Sequence, residues 1–269
     1  MPATVQPALP FGGDPVAEIP LPKTPLIVVI AQVRFPAITS ISREDFIGPF
    51  QERIRSRYPV LRQEHEMGLL VGPKGFVPSA ATTQVWRFQD KADTWRVSLA
   101  PEFVALDTSA YVSRADFLSR LGEVLQAVAD VISPATFDRL GVRYVDRLRL
   151  DGPTDLGELV RPEIYGVATS DLGTAQLIHS VCDAEFSIED AILHGRWGVV
   201  PPNVVLEPLH RRALPVASWL LDLDMYTLKA DDFNPQTVLR RTEAFTKTIY
   251  RFFRWAVRDK LLREAGGEL

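Results

Sequence analysis

The sequence predicts an α+β protein built from two similar halves, each a mostly antiparallel sheet backed by helices. Short strand patterns follow one another with turn residues between them, and two long segments repeat apolar residues at helical spacing. The order strand, helix, strands, helix occurs over residues 25–133 and again over residues 139–263. We therefore expect a single α+β domain over residues 25–269, with a seam where the two halves meet.

A proline-rich segment, residues 1–24, precedes this domain. Its prolines are Pro2, Pro7, Pro10, Pro15, Pro20 and Pro22, and Gly12 and Gly13 lie between them. Proline fixes the backbone angle φ and removes a hydrogen-bond donor, so we expect an extended tail or strap here.

The first half begins with a β-branched strand, Leu26–Phe35, followed by a helix with Ser42 as its predicted N-cap. Tyr58 and Pro59 end that helix. Four strand patterns follow at about 62–71, 83–88, 94–99 and 103–107, and neighbouring short strands favour an antiparallel meander. Ser113 then caps a helix whose apolar residues recur at helical spacing.

The second half begins with a long strand pattern, Leu140–Leu150. A short helix at Asp155–Val160 follows, and then strands at about 175–186, 191–200 and 216–228. The closing helix is predicted over Pro235–Arg263, with Pro235 in its first turn.

Composition limits the classes of function. With 46% hydrophobic and 24% charged residues the chain has enough apolar material for a core, and its net charge of −4 gives no general reason to expect nucleic acid or a membrane. Cys182 is the only cysteine, which excludes an internal disulfide and fits a reducing compartment. No secretory leader pattern or membrane-length apolar run is present, so we expect a cytoplasmic protein.

Asp146 stands out in the strand Leu140–Leu150. Side chains alternate between the two faces of a strand, so Asp146 shares its face with apolar residues such as Val142 and Leu148. An unpaired carboxylate in such a row is costly. We therefore expect a partner for Asp146, either an arginine of the fold or a cation of a ligand.

Several polar residues are candidates for ligand binding on the sheet faces. Arginines share one face of the strand Leu140–Leu150, and a histidine lies beside carboxylates farther along the chain. A histidine near carboxylates is the minimum for a metal site or for acid–base chemistry. The candidate ligand-binding residues are Arg143, Arg147, His179, Arg196 and Trp197.

Asp222 and Asp224 share a strand face and form a weak candidate metal site. Paired aspartates two residues apart occur in magnesium-dependent active sites, but the pattern is short. The sequence contains no glycine-rich phosphate loop and no H-E-x-x-H motif. We expect no cofactor, and a binding function rather than catalysis.

The closing helix carries a basic stripe. Its residues are Arg240, Lys247, Arg251, Arg254 and Arg258, at spacings of seven, four, three and four. In an acidic chain such a stripe indicates either a solvated helix face or contact with nucleic acid or an acidic partner.

Four segments resemble a sporadically distributed family of uncharacterised bacterial proteins. They are Pro25–Val29 with Val33–Phe35, the helix end at Tyr58–Pro59, the strand Leu140–Leu148, and Leu221–Tyr226. The likeness spans nearly the whole chain after residue 24 and implies no particular activity. It also implies that asparagine is common at the position of Asp146.

Three hypotheses follow. The first is a binding protein that takes a small molecule or a partner protein at the seam of the two halves or on the sheet faces. The second is a nucleic-acid-associated or toxin–antitoxin-like, defence-linked component that uses the basic closing helix. The third is a metal-dependent hydrolase that uses Asp222, Asp224 and His179. None of the three involves a membrane partner.

Overall fold

The computed structural model describes residues 7, 9–14, 16–72, 75–152, 155–169, 174–175, 177–204 and 214–269. The predicted turn at residues 72–75 and the beginning of the strand predicted near residue 175 lie partly outside these residues. Within the described residues, no helix combines the length and apolarity that a membrane crossing needs.

The described residues of the first half form five strands and two helices. They are β1 Leu26–Arg34, α1 Glu44–Ile54, β2 Val60–Gly72, β3 Gly75–Gln89, β4 Trp95–Ala100, β5 Phe103–Thr108 and α2 Arg114–Val131, with a 3₁₀ turn at Thr39–Ser42. The Ser113 hydroxyl accepts a hydrogen bond from the Asp116 amide, which confirms the predicted cap of α2. The predicted Ser42 cap is wrong, because Ser42 ends the 3₁₀ turn and Arg43 occupies the N-cap position of α1.

A short strand, β6 Thr136–Phe137, precedes the second half. The elements of the second half are β7 Arg139–Arg149, α3 Leu156–Leu159, α4 Pro162–Tyr165, a 3₁₀ turn Gly166–Thr169, β8 Ser180–Ile188, β9 Ala191–Val200, β10 Ser218–Thr227, β11 Asp231–Asp232, α5 Pro235–Ala256 and α6 Asp259–Glu264. β6 pairs with β11. The closing helix is thus two helices rather than one. The backbone of Val257 is extended and forms an antiparallel β-bridge with Val160. This extended residue ends α5 before α6 begins.

In the part of the chain that the structure describes, nine strands form one antiparallel sheet in the order β2-β3-β4-β5-β1-β7-β10-β9-β8. The first strands of the two halves, β1 and β7, lie side by side at its centre. Next to each lies the last long strand of the same half, β5 beside β1 and β10 beside β7. The α+β class is therefore confirmed, while a duplication of the two halves stays a prediction.

The helices cover one face of this sheet, which we call the helix face. Its core joins Val29 of β1 and Val142 of β7 to Phe117 of α2 and Ile249 of α5. The opposite face, which we call the charged face, carries most of the ionisable side chains of the central strands. They are Arg87, Arg96, Asp107, Arg139, Arg143, Arg196, Asp222 and Asp224.

The N-terminal segment, described at residues 9–14 and 16–24 and here called the strap, packs on the helix side. It forms no helix or strand, as the prolines predict. Arg251 of α5 donates hydrogen bonds to the carbonyl oxygens of Gly12 and Asp14, at 2.6 to 2.9 Å. Phe11 contacts the rings of Phe186 and Phe252. The strap is therefore docked on the body of the same chain.

Candidate functional site

A cavity of about 180 Å³ lies under the strap, at the boundary of the two halves. We call it the seam cavity. The strap, the N-terminal end of β1, the residues before α2, the strand β7 and the helix α5 all line it. Its apolar wall includes Ile19, Leu21, Leu26, Ile249 and Phe253, and its polar groups include Glu18, Tyr111, Tyr144, Asp146 and Tyr250.

Asp146 is the most unusual group in this wall. Strand alternation puts it on the helix face beside Leu221 of β10, and only 4% of its surface is exposed. Within the described part of the chain its carboxyl group makes no hydrogen bond or ion pair. Burial, together with the negative charge of Asp222, raises the pKa of Asp146 to about 8.

Three tyrosines line the cavity, and the hydroxyl group of each takes part in a hydrogen bond. Tyr144 donates to the hydroxyl of Tyr111 at 3.3 Å, and Tyr111 donates to the Glu18 carboxylate at 3.1 Å. Burial raises the pKa values of Tyr111 and Tyr144, so both phenols stay neutral. The Tyr250 hydroxyl accepts a hydrogen bond from the Ile19 amide at 2.8 Å, which holds the strap over the cavity.

The seam cavity contains two carboxyl groups and no basic side chain among the described residues that line it. Tyr111 and Tyr144 meet edge to face, with ring centroids 5.6 Å apart. Aromatic faces and carboxylates both favour a positive charge, while the aliphatic wall favours an apolar body. The wall is therefore suited to an organic molecule that has both features.

The charged face has its own cleft, of about 230 Å³, on the other side of the same central strands. Four guanidinium groups line it, those of Arg87, Arg96, Arg139 and Arg143. Carboxylates accompany them: Arg96 Nε lies 2.8 Å from Asp107, and Arg139 lies 3.4 Å from Asp224. This surface is a ladder of ion pairs.

Asp222 is the centre of that ladder. Arg143 binds both of its carboxylate oxygens, at 2.7 and 2.6 Å, and Arg196 binds one of them at 2.7 Å. Burial alone would raise the pKa of Asp222, but the hydrogen bonds and charges of Arg143 and Arg196 outweigh burial and hold that pKa below its ordinary value.

The five predicted ligand-binding residues do not meet in one place. Arg143 lines the cleft of the charged face, and Arg196 joins it at Asp222. Arg147 is buried and donates to the Ser218 hydroxyl and the Val204 carbonyl. Trp197 points to the helix face, where its ring lies 5.9 Å from that of Phe252. The grouping of Trp197 with Arg196 was therefore wrong, because neighbours in a strand face opposite sides.

His179 is exposed and stands apart from the aspartates. It precedes β8 at the level of Ser218, because Ser180 pairs with Val199 and Val200 pairs with Ser218. Asp222 lies four residues farther along β10, about 13 Å at the rise of a strand. The structure therefore does not bring His179 to Asp222 and Asp224, as the hydrolase hypothesis requires.

The metal hypothesis finds no donor set in the described residues. They contain no group of three or more histidine, cysteine, aspartate or glutamate side chains placed around one point. Asp222 is also occupied by two guanidinium groups, which a metal ion would have to displace.

The basic stripe of the closing helices is only partly at the surface. Arg254 is completely buried, so it cannot contact a partner in the folded protein, and its inclusion in the stripe was wrong. Arg251 holds the strap. Arg240, Lys247 and Arg258 are exposed. Contact with nucleic acid stays a prediction that rests on these three residues.

No protein-family model matches the sequence, and a search of curated proteins finds no significant match. The resemblance to a family of bacterial proteins therefore stays a prediction.

The sequence singles out Asp146, but it does not identify most of the other polar residues that line the seam cavity. Glu18 lies in the proline-rich segment, Tyr111 lies in the loop before α2, and Tyr250 lies on α5 outside the basic stripe. Tyr144 was visible, because it shares a strand face with Asp146.

Proposed function

We propose that this protein is a binding module that takes a small organic molecule in the seam cavity. One observation carries the proposal: a cavity of about 180 Å³ with a largely apolar wall is lined by residues of both halves and by the strap. Pockets of this kind, with an apolar wall and a few polar groups, are where proteins hold small ligands.

The strand order supports a seam between two related halves. In each half the first strand is central and the last long strand lies beside it, and β1 and β7 meet along their length. Asp146 and Tyr144 come from β7 of the second half, while Leu26 and Tyr111 come from the first. We propose that an internal duplication created this boundary, and that the strap closes it. The single cysteine suits a reducing compartment such as the cytoplasm.

The size of the cavity limits the ligand. An engineered protein cavity of about 150 Å³ holds benzene. The seam cavity of about 180 Å³ therefore suits a molecule with one ring, or an aliphatic chain of similar volume.

A thermal-shift screen with ring-sized amines, alcohols and acids tests the proposal, because a ligand that binds the folded state raises the melting temperature. The screen compares the wild type with Val112→Trp, which puts a bulky ring at an exposed position of the cavity wall. Leu228→Trp is the matched control, since Leu228 is also exposed and does not line the cavity.

The proposal predicts compounds that stabilise the wild type and Leu228→Trp but not Val112→Trp. A screen without such compounds, or with compounds that stabilise all three proteins equally, would contradict it.

A second candidate is an anion site in the cleft of the charged face. Four guanidinium groups around about 230 Å³ favour it, and arginine forks match carboxylate and phosphate geometry. Inorganic phosphate should then stabilise the wild type more than Arg139→Gln. Equal stabilisation of the two proteins would contradict an anion site there.

A further inference from the structure

The charge distribution in the seam cavity points to a particular class of ligand. We infer that the cavity binds a primary or secondary organic ammonium ion with an apolar body, and that Asp146 is its counter-ion. This inference rests on the proposed function and specifies the chemistry of the same site.

The carboxyl group of Asp146 has no hydrogen-bond partner among the described residues. Asp146 is 4% exposed, lines the cavity, and receives no hydrogen bond from any described residue. Buried polar groups are nearly always hydrogen-bonded, and a buried carboxylate without a partner is especially costly. A group that the fold leaves unsatisfied at the wall of a cavity is complementary to a donor that comes with the ligand.

The side chains that line the seam cavity favour a positively charged ligand. Every ionisable side chain lining the cavity within the described residues is an acid or a phenol: Glu18, Asp146, Tyr111, Tyr144 and Tyr250. Where Asp146 is ionised, a carboxylate ligand would meet like charge there, and the described residues that line the cavity include no arginine or lysine to offset it. A protonated amine would meet Asp146 and the faces of aromatic rings, both of which attract cations.

The wall also favours a ligand with an apolar body. Ile19, Leu21, Leu26, Ile249 and Phe253 provide the apolar part of the wall. A small inorganic cation would leave this surface without contacts, and the described residues hold no metal-binding cluster. An organic ammonium ion can place its charged group beside Asp146 and its ring or short aliphatic chain against the apolar residues.

Binding of such an ion should depend on pH. The groups around Asp146 are Glu18 on the strap, Tyr111 before α2, Tyr144 on β7, Tyr250 on α5 and Asp222 across the sheet. Arg114, at the start of α2, opposes part of the rise in the pKa of Tyr144, whereas burial and the charge of Asp222 raise the pKa of Asp146. Because the pKa of Asp146 is raised to about 8, the free protein holds a proton there at pH 6 to 7 that the ligand must release.

Isothermal titration of the purified chain with benzylamine, benzyl alcohol and toluene at pH 8 tests the inference. The three probes have similar shapes and differ in charge. Benzylamine should bind about tenfold to a hundredfold more tightly than benzyl alcohol, since a charged hydrogen bond is stronger than a neutral one. Its affinity should fall about tenfold per pH unit as the pH is lowered below 8.

Two substitutions complete the test. Asp146→Asn keeps the shape of the side chain and should remove the preference for benzylamine over benzyl alcohol. Asp224→Asn, on the charged face, is the matched control and should keep that preference. Circular dichroism checks that both variants keep the fold of the wild type.

The outcomes separate the inference from the proposed function. If benzyl alcohol and toluene bind as tightly as benzylamine, and Val112→Trp blocks all three, the cavity is a binding site but the ammonium inference is wrong. If none of the three probes binds, both are wrong. If benzylamine binds Asp146→Asn as tightly as the wild type, Asp146 is not the counter-ion.

Discussion

Asp146 and Asp222 are two buried aspartates on the neighbouring strands β7 and β10, and the fold treats them in opposite ways. Asp222 faces two arginines that hold its carboxylate with three hydrogen bonds of 2.6 to 2.7 Å. Asp146, on the other side of the sheet, has no such partner among the described residues and lines a cavity. Accordingly the pKa of Asp222 is lowered and that of Asp146 is raised.

This contrast distinguishes a structural charge from a charge available to a ligand. The same residue type, in the same sheet and at similar burial, is compensated on the charged face and uncompensated on the helix face. The cost of burying Asp222 is offset by Arg143 and Arg196, whereas the cost of burying Asp146 is reduced by protonation or removed by a bound cation.

The largest expected effect is that of Asp222→Asn. The substitution leaves Arg143 and Arg196 without the carboxylate that both bind, and breaking a buried ion pair typically costs about 3–5 kcal/mol. Urea denaturation at pH 7 measures the free energy of unfolding. A loss smaller than about 1 kcal/mol would show that Arg143 and Arg196 do not compensate the buried charge of Asp222, and the contrast with Asp146 would then fail.

The opposite sign is expected for Asp146→Asn. The pKa of Asp146 is about 8 in the folded protein and near the ordinary 3.8 in the unfolded chain, so folding takes up a proton between these values. The wild type should therefore lose up to about 1.4 kcal/mol of stability per pH unit relative to the variant as the pH rises from 5 to 8. Urea denaturation of both proteins across this range tests the prediction, and parallel pH profiles would refute it.

A smaller effect is expected for release of the strap. Arg251→Ala removes the hydrogen bonds to Gly12 and Asp14, with an expected cost of about 1–2 kcal/mol, because the guanidinium group is partly exposed and its bonds are weakened by solvent. Arg240→Ala on the same helix is the control, since among the described residues Arg240 hydrogen-bonds only to the nearby Thr237.

Limited proteolysis provides a second readout for the strap. The Arg251→Ala variant should be cleaved before residue 25 faster than the wild type and the Arg240→Ala control. Equal cleavage of the three proteins would mean that Arg251 does not hold the strap in place.

The smallest effect is expected at the edge of the charged face. Arg139 lies 3.4 Å from Asp224 and 4.1 Å from the centre of the Tyr226 ring, and both partners of the ion pair are partly exposed. Arg139→Gln should cost less than about 1 kcal/mol, because exposed ion pairs contribute little. Urea denaturation again measures the free energy of unfolding. A loss as large as that of Asp222→Asn would show that the ion pair of Arg139 stabilises the fold as much as those of Asp222, which would contradict the prediction.

Much of the fold follows from local patterns in the sequence. The apolar alternation of β7 and the helical spacing of α2 identify both elements, and Ser113 marks the start of α2 through its cap. The same alternation places Asp146 in an apolar row, so the residue pattern of β7 is enough to predict that this carboxyl group needs a partner. Applied to β9, the alternation also separates Arg196 from Trp197.

The cavity could not be predicted in the same way. Its walls join residues that are far apart in the sequence, such as Ile19 with Tyr250 and Glu18 with Tyr111. No local periodicity encodes such contacts. The burial of Arg254 was missed for a related reason: helical spacing gives the direction of a side chain but not what packs against that side of the helix.

The most direct test of the account follows the side-chain carboxyl carbon of Asp146 by ¹³C NMR, with Asp146→Asn to assign its signal. In the free protein at pH 7 the signal should have the shift of a protonated carboxyl group, and saturating benzylamine should move it to that of a carboxylate. The signal of Asp222 should stay that of a carboxylate throughout. An Asp146 signal that is already that of a carboxylate in the free protein, or that benzylamine leaves unchanged, would contradict the account.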